Sequence, residues 1–250
     1  MSNTVYSGAS VGEHLVNDAA QINMDAGTKM VLDDNRVYRY TKNAGTNQIT
    51  GNMVEGAAQL TSDDDLALDA VHAVGETTLT FTSGTTTAAS FYVDGWCVVN
   101  KAAAAAGLGQ VFQIATQAVF TSAAGDTIVL KESTPVLVAL AASDEIALSP
   151  SPYRGVIVAP TTMTGTVIGV SHCARTALYW GWTQSGGVAA VNSPATPTVL
   201  ANNVDMATAA AGRIGVPAGS HKLVTVGQCM VPASTGGEMD IVFLTLDQAN

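Results

Sequence analysis

From residue 76 onward, apolar and polar positions alternate with a period of two, the spacing of strands that bury one face. Thr77-Thr78-Leu79-Thr80-Phe81-Thr82 sets Leu79 and Phe81 on one side and threonines on the other. Residues 91–93 and 96–99 read as two strand halves around Asp94-Gly95, a hairpin or bulge signal. Further short strands are predicted over 110–114, 118–120, 126–130, 135–140 and 145–148. Turn residues recur about every eight to twelve positions, the rhythm of an all-β sandwich or barrel. Ser149-Pro150-Ser151-Pro152 then interrupts pairing, because proline cannot donate to a ladder. A second set follows at 155–158, 166–170 and 177–183, with Ser185-Gly186-Gly187 predicted to turn the chain into 188–191. Residues 194–219 read as a long excursion with weak strands, and 223–226, 228–231 and 241–246 close the set.

The first 60 residues are polar and mostly aperiodic. Asp33-Asp34-Asn35 is a turn signal, and 36–41 alternates as one short strand behind it. The region reads as an extended arm with one or two strands, lying on its own body or on a neighbouring copy. The alanine-rich run 101–106 is closed by Gly107 and Gly109 too soon for a stable helix, and reads as a loop between strands. The expected fold is therefore all-β: short antiparallel strands in one or two small barrels or sandwiches with an extended N-terminal arm. The expected division is an arm over 1–60, a β domain over 61–150 and a second β-rich domain over 151–250.

Composition narrows the function classes. Only 12% of residues are charged, about half the share of roughly 25% in ordinary globular chains, while 47% are hydrophobic. Disorder needs the opposite balance. A net charge of −10 has the wrong sign for neutralising phosphates, so no nucleic-acid partner is expected. No stretch reaches the ~18 uncharged apolar residues of a membrane-spanning helix, and the start, Met1-Ser2-Asn3-Thr4, lacks a signal-peptide pattern. Cys97, Cys173 and Cys229 form no CxxC pair. Reduced, mostly buried thiols are expected, with a single disulfide as the alternative.

Catalytic motifs are scarce. Gly107 and Gly109 lack the third glycine of a dinucleotide loop. Gly169-Val170-Ser171-His172-Cys173 begins like a nucleophile elbow but ends in cysteine where the closing glycine belongs. His172 and Cys173, adjacent on a strand, point to opposite faces. His14, His72, His172 and His221 lie far apart, without metal-ligand spacing. Asp63-Asp64-Asp65, with Asp69 nearby, reads as a solvated turn, weak cation binding being the alternative. No catalytic residue, metal or cofactor is expected, and the chain reads as a non-enzyme. Trp180 and Trp182 share one face of a strand with Tyr179 on the other, and Tyr38 and Tyr40 alternate in the arm strand. These five aromatics read as packing or interface anchors. A sugar-stacking platform at Trp180 and Trp182 is the alternative.

Three strings carry a family resemblance. Val37-Tyr38-Arg39-Tyr40-Thr41-Lys42-Asn43 resembles a "(F/Y)RYVKN" opening found in virion proteins of tailed bacteriophages. Residues 145–158, EIALSPSPYRGVIV, are similar to that group's "L.PNPY.GVVV" stretch, and 179–191, YWGWTQSGGVAAV, to its "YGWVQT.GP..VL" hairpin. The ending from Val226 to Leu246 also fits, so the resemblance spans about residues 37–246; it departs at Trp180 and at 101–106. It implies an auxiliary capsid protein of the decoration or cement kind. Such a protein sits on the outer capsid surface of the virion, contacts the major capsid protein and copies of itself as a trimer or dimer, and bridges shell subunits. A glycan-binding host-recognition module of a tail or fibre is the second expectation. Scarce charge agrees with an assembled chain, since interface cores are depleted in charge.

Overall fold

A computed structural model describes residues 5–6, 12–102, 107–193, 203–206, 210–215, 224–235 and 238–247. The described residues are all-β, with short 3-10 turns at Glu13–Leu15 and Thr61–Asp63. It divides into two compact units, residues 58–151 and residues 2–57 with 152–250.

The 58–151 unit contains β6 (Leu66–Ala67), β7 (Thr78–Thr82), β8 (Trp96–Lys101), β9 (Val111–Gln117), β10 (Gly125–Leu130) and β11 (Glu145–Ser149). They pair in the order β6-β11-β8-β9-β10-β7, and a bridge between Leu68 and Phe81 joins the two ends into a small barrel. Alternation fills its interior: Leu79 and Phe81, Cys97 and Val99, Phe112 and Ile114, Ile128 and Leu130, and Ile146 and Leu148 all point inward.

Three expected strands are absent: residues 118–120 make only an isolated bridge from Phe120 to Thr87, and the other two fail for identifiable physical reasons. Residues 91–93 form a turn, with Asp94 in the left-handed region (φ 61°), and Tyr92 swings inward against Phe120. Residues 135–140 make only an isolated bridge at Leu140. There the Gln110 side chain replaces a ladder partner. Its Oε1 accepts the Leu137 and Val138 amides at 2.9 and 3.0 Å, and its Nε2 donates to the Val138 carbonyl at 2.9 Å.

The other unit takes β1 (Val5–Tyr6), β2 (Asn17–Asp18), β3 (Lys29–Val31), β4 (Val37–Asn43) and β5 (Met53–Glu55) from the chain start. From its end come β12 (Arg154–Val158), β13 (Val167–Ser171), β14 (Trp180–Asn192), β15 (Asn203–Met206), β16 (Ile214–Gly215), β17 (Thr225–Val231) and β18 (Met239–Thr245). Strands β4, β12, β5, β13 and β14 pair in sequence, and the β14–β4 ladder closes them into a five-membered ring. Four of the five pairings are antiparallel and β4–β12 is parallel.

The expected arm over 1–60 is thus corrected. Its strand β4 lies inside the ring, joined to β3 by the Asp33-Asp34-Asn35 turn, where Asn35 is left-handed (φ 63°) and Asp34 Oδ1 accepts the Arg36 amide. The stretch looks aperiodic because its loops spend their polar groups on distant partners: Gln48 bridges Arg175, and the Gly51 amide donates to the Ser171 carbonyl. The described part of residues 2–57 therefore belongs with 152–250, and the boundary at 149–152 marks the chain's return from the other unit.

The turn expected at Ser185-Gly186-Gly187 is also corrected, since β14 runs through it unbroken. Gly186 is a hand-over point: it pairs with Val37 of β4 and with Thr245 of β18. A Cβ there would lie 2.2 Å from the Asp247 carbonyl oxygen, so glycine is required by close approach. Beyond it, β14 continues the sheet β14-β18-β17-β15-β16, whose inner side packs Val191, Val204, Ile214, Val226, Val242 and Leu244 into a second core. The alanines at 103–106 and much of the 194–219 excursion fall outside the described residues; within the excursion, 203–206 and 214–215 are strands β15 and β16.

Candidate functional site

The β4–β14 ladder positions four of the five aromatic anchors. Trp182 lies opposite Tyr40, Gln184 opposite Tyr38, and Trp180 opposite Lys42, so alternate residues of both strands share one face. Tyr40 stacks on Trp180 with centroids 5.2 Å apart and planes 14° apart, and meets Trp182 at 5.2 Å and 59°. The Tyr40 hydroxyl accepts the Ile22 amide at 3.1 Å. Ala26 and Met30, with the half-buried Val16, Ile22, Met24 and Leu32, close over the rings. Arg154 and Lys42 place their charges 5.0 and 5.7 Å from the Trp180 ring centre. Tyr38, Tyr40 and Trp182 are 0% exposed and Trp180 is 2% exposed. Tyr179, half-buried, precedes the strand, and its carbonyl accepts the Asn43 amide. Neither tryptophan offers a face to a sugar, which leaves the glycan-stacking alternative without its platform.

The opposite face of the same ladder is polar. Thr41 and Thr183 hydroxyls lie 2.8 Å apart, and the buried Arg175 guanidinium donates to both, at 2.8 and 2.9 Å, and to the Thr41 carbonyl at 2.9 Å. All three acceptors are neutral. Burial pulls the Arg175 pKa down to about 10. This cation therefore fastens the β4–β14 seam from within.

Two histidines that the sequence separates by more than a hundred positions meet in space. His14 and His172 have ring centroids 4.9 Å apart, and each lies within 6 Å of the Tyr38 ring. Burial is the main cause that depresses both imidazoles below their ordinary value; Arg36 depresses both further, and His14 further depresses His172. Tyr38, whose hydroxyl accepts from Arg36 at 2.9 Å, is pushed up to about 12 by burial. No spacing rule finds this pair, because its members come from a 3-10 turn and from the residue after β13. Among the described residues, no group of three or more His, Cys, Asp or Glu side chains is placed to hold a metal ion.

The acidic cluster divides. Asp63 points into the 58–151 barrel, fully buried, where Tyr92 donates at 2.5 Å and Thr87 at 3.5 Å. Asp64 and Asp65 stay outside and share the Asn100 amide at 2.9 and 2.6 Å. The solvated-turn expectation thus fails for Asp63, whose hydroxyl partners lie 24 and 29 positions away. Ser171, from the incomplete elbow, is buried and donates to the Cys173 carbonyl at 2.8 Å, a local turn contact. All three cysteines are free, Cys97 and Cys229 buried and Cys173 half-buried. A hollow of about 560 Å³ lies along Gln21, Ile22, Asn23, Met24, Asp25 and Thr28. Asp25 is the single ionisable side chain in that lining.

Family models, curated proteins and solved structures were compared with the chain. None matches. Of the aromatic side chains singled out by sequence, Tyr40, Trp180 and Trp182 pack together on one face of the β4–β14 ladder, and Arg175, which no sequence signal marks, fastens the other face.

Proposed function

We propose that this chain is a structural virion protein that decorates and stabilises a bacteriophage capsid by bridging neighbouring shell subunits. Its partners in this reading are the major capsid protein and copies of itself, on the outer surface of the shell. The observation that carries the reading is where the resembling strings fall. Of the three strings, 37–43 forms β4, the 154–158 end of 145–158 forms β12 while its 145–149 start forms β11 of the other unit, and 179–191 supplies most of β14; β4 pairs with both β12 and β14. Parts of all three strings, far apart in sequence, thus neighbour one another in the ring, which supports reading them as one resemblance. The surplus of acidic over basic residues supports the outer side of a nucleic-acid container, because packed DNA repels it.

Area burial supplies the mechanism. A contact of ordinary size contributes many kcal/mol at ~25 cal/mol per Å² of apolar surface before association costs, and repetition around a shell makes modest contacts lasting. The test uses the full chain, because the described part of residues 2–57 is built into the fold and cannot be removed as an arm. The chain is mixed with undecorated shells of a tailed phage and sedimented through a gradient. Saturable binding at a fixed ratio to the shell subunit, with a raised temperature of shell disruption, is the expected result. Absence of co-sedimentation at saturating protein overturns the proposal.

A further inference from the structure

We propose that the outer face of the β14–β18–β17 sheet is a homotypic interface, at which two copies of this chain pair face to face about a two-fold axis that runs between them over β18. The inference deepens the assembled reading above, on which it rests for its setting; its geometry rests on the sheet face alone.

Strand β18 alternates strictly: Asp240, Val242 and Leu244 are buried, while Met239, Ile241 and Phe243 are 41%, 39% and 48% exposed. Its neighbours extend the exposed rows. Val188 of β14 lies beside Phe243, and Ala190 beside Ile241. On the other side a bulge sets two residues of β17, Met230 and Val231, around the position of Ile241. A regular ladder would turn one of them inward; here both face out, at 44% and 52% exposure. The bulge therefore enlarges the apolar face at its centre.

Size and charge decide the occupant. The exposed parts of these side chains amount to roughly 500 Å², at the upper end of the ~300–600 Å² that a monomer's largest patch reaches. That is over half of the ~800 Å² each partner supplies to a stable contact, and polar positions such as Gln228 and Thr245 stand ready as its rim. Across the three strands the single charged residue is Asp240, which turns inward and accepts the Ala233 amide. Nothing on this face would select a partner of opposite charge. Two copies, each at −10, repel over most of their surfaces and can meet without like-charge contact here. An isologous contact needs a self-complementary patch, and one centred on the middle strand of three satisfies that condition. Two such faces would pack as a sheet sandwich about 10 Å thick.

Analytical ultracentrifugation of the full chain over roughly 1–100 µM tests this, since a dimer's population follows protein concentration. A reversible dimer is expected. Ile241→Lys and Phe243→Glu should each weaken it at least tenfold while leaving the melting curve of the dilute monomer unchanged, because both side chains lie outside the core. A chain that stays monomeric, a trimer, or a dimer insensitive to both substitutions overturns the proposal. A monomer that binds shells until Ile241 is replaced by lysine shows that the face meets a shell subunit; this overturns self-pairing and leaves the decoration reading standing. A dimer that ignores shells does the reverse.

Discussion

Replacing Gly186 by alanine tests the hand-over of β14 directly. In a Ser-Gly-Gly hairpin turn an added methyl at the middle position would sit near solvent and cost little. In a continuous strand, that methyl meets the Asp247 carbonyl oxygen at 2.2 Å, a distance no Cβ tolerates, and the segment after β18 must move. Three contacts go with it. Asp247 holds Arg39 at 2.5 Å and Lys29 at 3.9 Å, and its amide donates to the Ser185 carbonyl at 3.0 Å. The backbone bond contributes about 1 kcal/mol and the partly buried Arg39 pair about 1–2 kcal/mol after solvent screening. With residual strain, the cost comes to about 2–4 kcal/mol, near the usual range for overpacking. At a urea slope of about 1–3 kcal/mol per molar, the midpoint should fall by about 1–2 M. Tryptophan fluorescence in a Trp96→Phe background reads this unit through Trp180 and Trp182. Asp247→Asn, which removes the ion pairs without the clash, should cost about 1 kcal/mol, less than Gly186→Ala. A Gly186→Ala midpoint equal to wild type would refute the continuous strand.

Two further outcomes follow from the buried polar groups. His14 and His172 have depressed values in the fold, so the unfolded chain binds protons more readily than the native one. Their contribution to stability is complete above the unfolded value of 6.5 and is lost as pH falls through it toward the lower folded values. Urea midpoints should therefore drop between about pH 7.5 and pH 5, and the His14→Gln/His172→Gln double variant should flatten that drop; an unchanged slope contradicts the pairing. Tyr92→Phe removes the hydroxyl that donates to the buried Asp63 carboxylate, leaving that oxygen only the long 3.5 Å bond from Thr87, and should destabilise the 58–151 barrel by about 1–3 kcal/mol in calorimetry. A melting temperature within a degree or so of wild type would contradict it.

The fold class was legible because alternation survives wherever a strand buries one face. Leu79 and Phe81, or Val242 and Leu244, announce themselves in this way. Ring membership was not legible. Strand β4 depends on β14 and β12, which lie more than a hundred residues on, and local pattern carries no information about such partners. The segment 135–140 looked like a strand because Val136 and Leu140 do turn inward, but the Gln110 side chain takes the ladder's place, an arrangement invisible in hydropathy. Glycine misled in the same way at 185–187, where it marks close approach of another backbone. At the candidate site, the pairing of Trp180 with Trp182 on one face was readable from spacing. Their burial beneath residues 16–32 was not, because that covering segment is itself aperiodic. The meeting of His14 and His172, and the entry of Asp63 into the barrel, likewise depend on long-range closure.

Scarcity of charge takes on a definite form in this structure. Several of the few cations are engaged within the fold: Arg175 in the threonine seam, Arg39 and Lys29 on Asp247, Arg36 on Asp34, Lys131 on Asp94. These ion pairs engage Asp247, Asp34 and Asp94, and the excess of acid over base includes exposed carboxylates such as Asp64 and Asp65, which share the Asn100 side-chain amide. The molecule thus presents mostly acidic or uncharged surface, with the apolar β14–β18–β17 face among the latter. Contact through an acidic region would require a basic partner and would weaken with salt, whereas contact through the apolar face would not. The two proposals therefore draw on separable physics. Shell decoration can use either kind of surface, while self-pairing on β18 must hold or strengthen as salt rises, because screening relieves the repulsion between two chains at −10 and no ion pair of the contact is there to be lost.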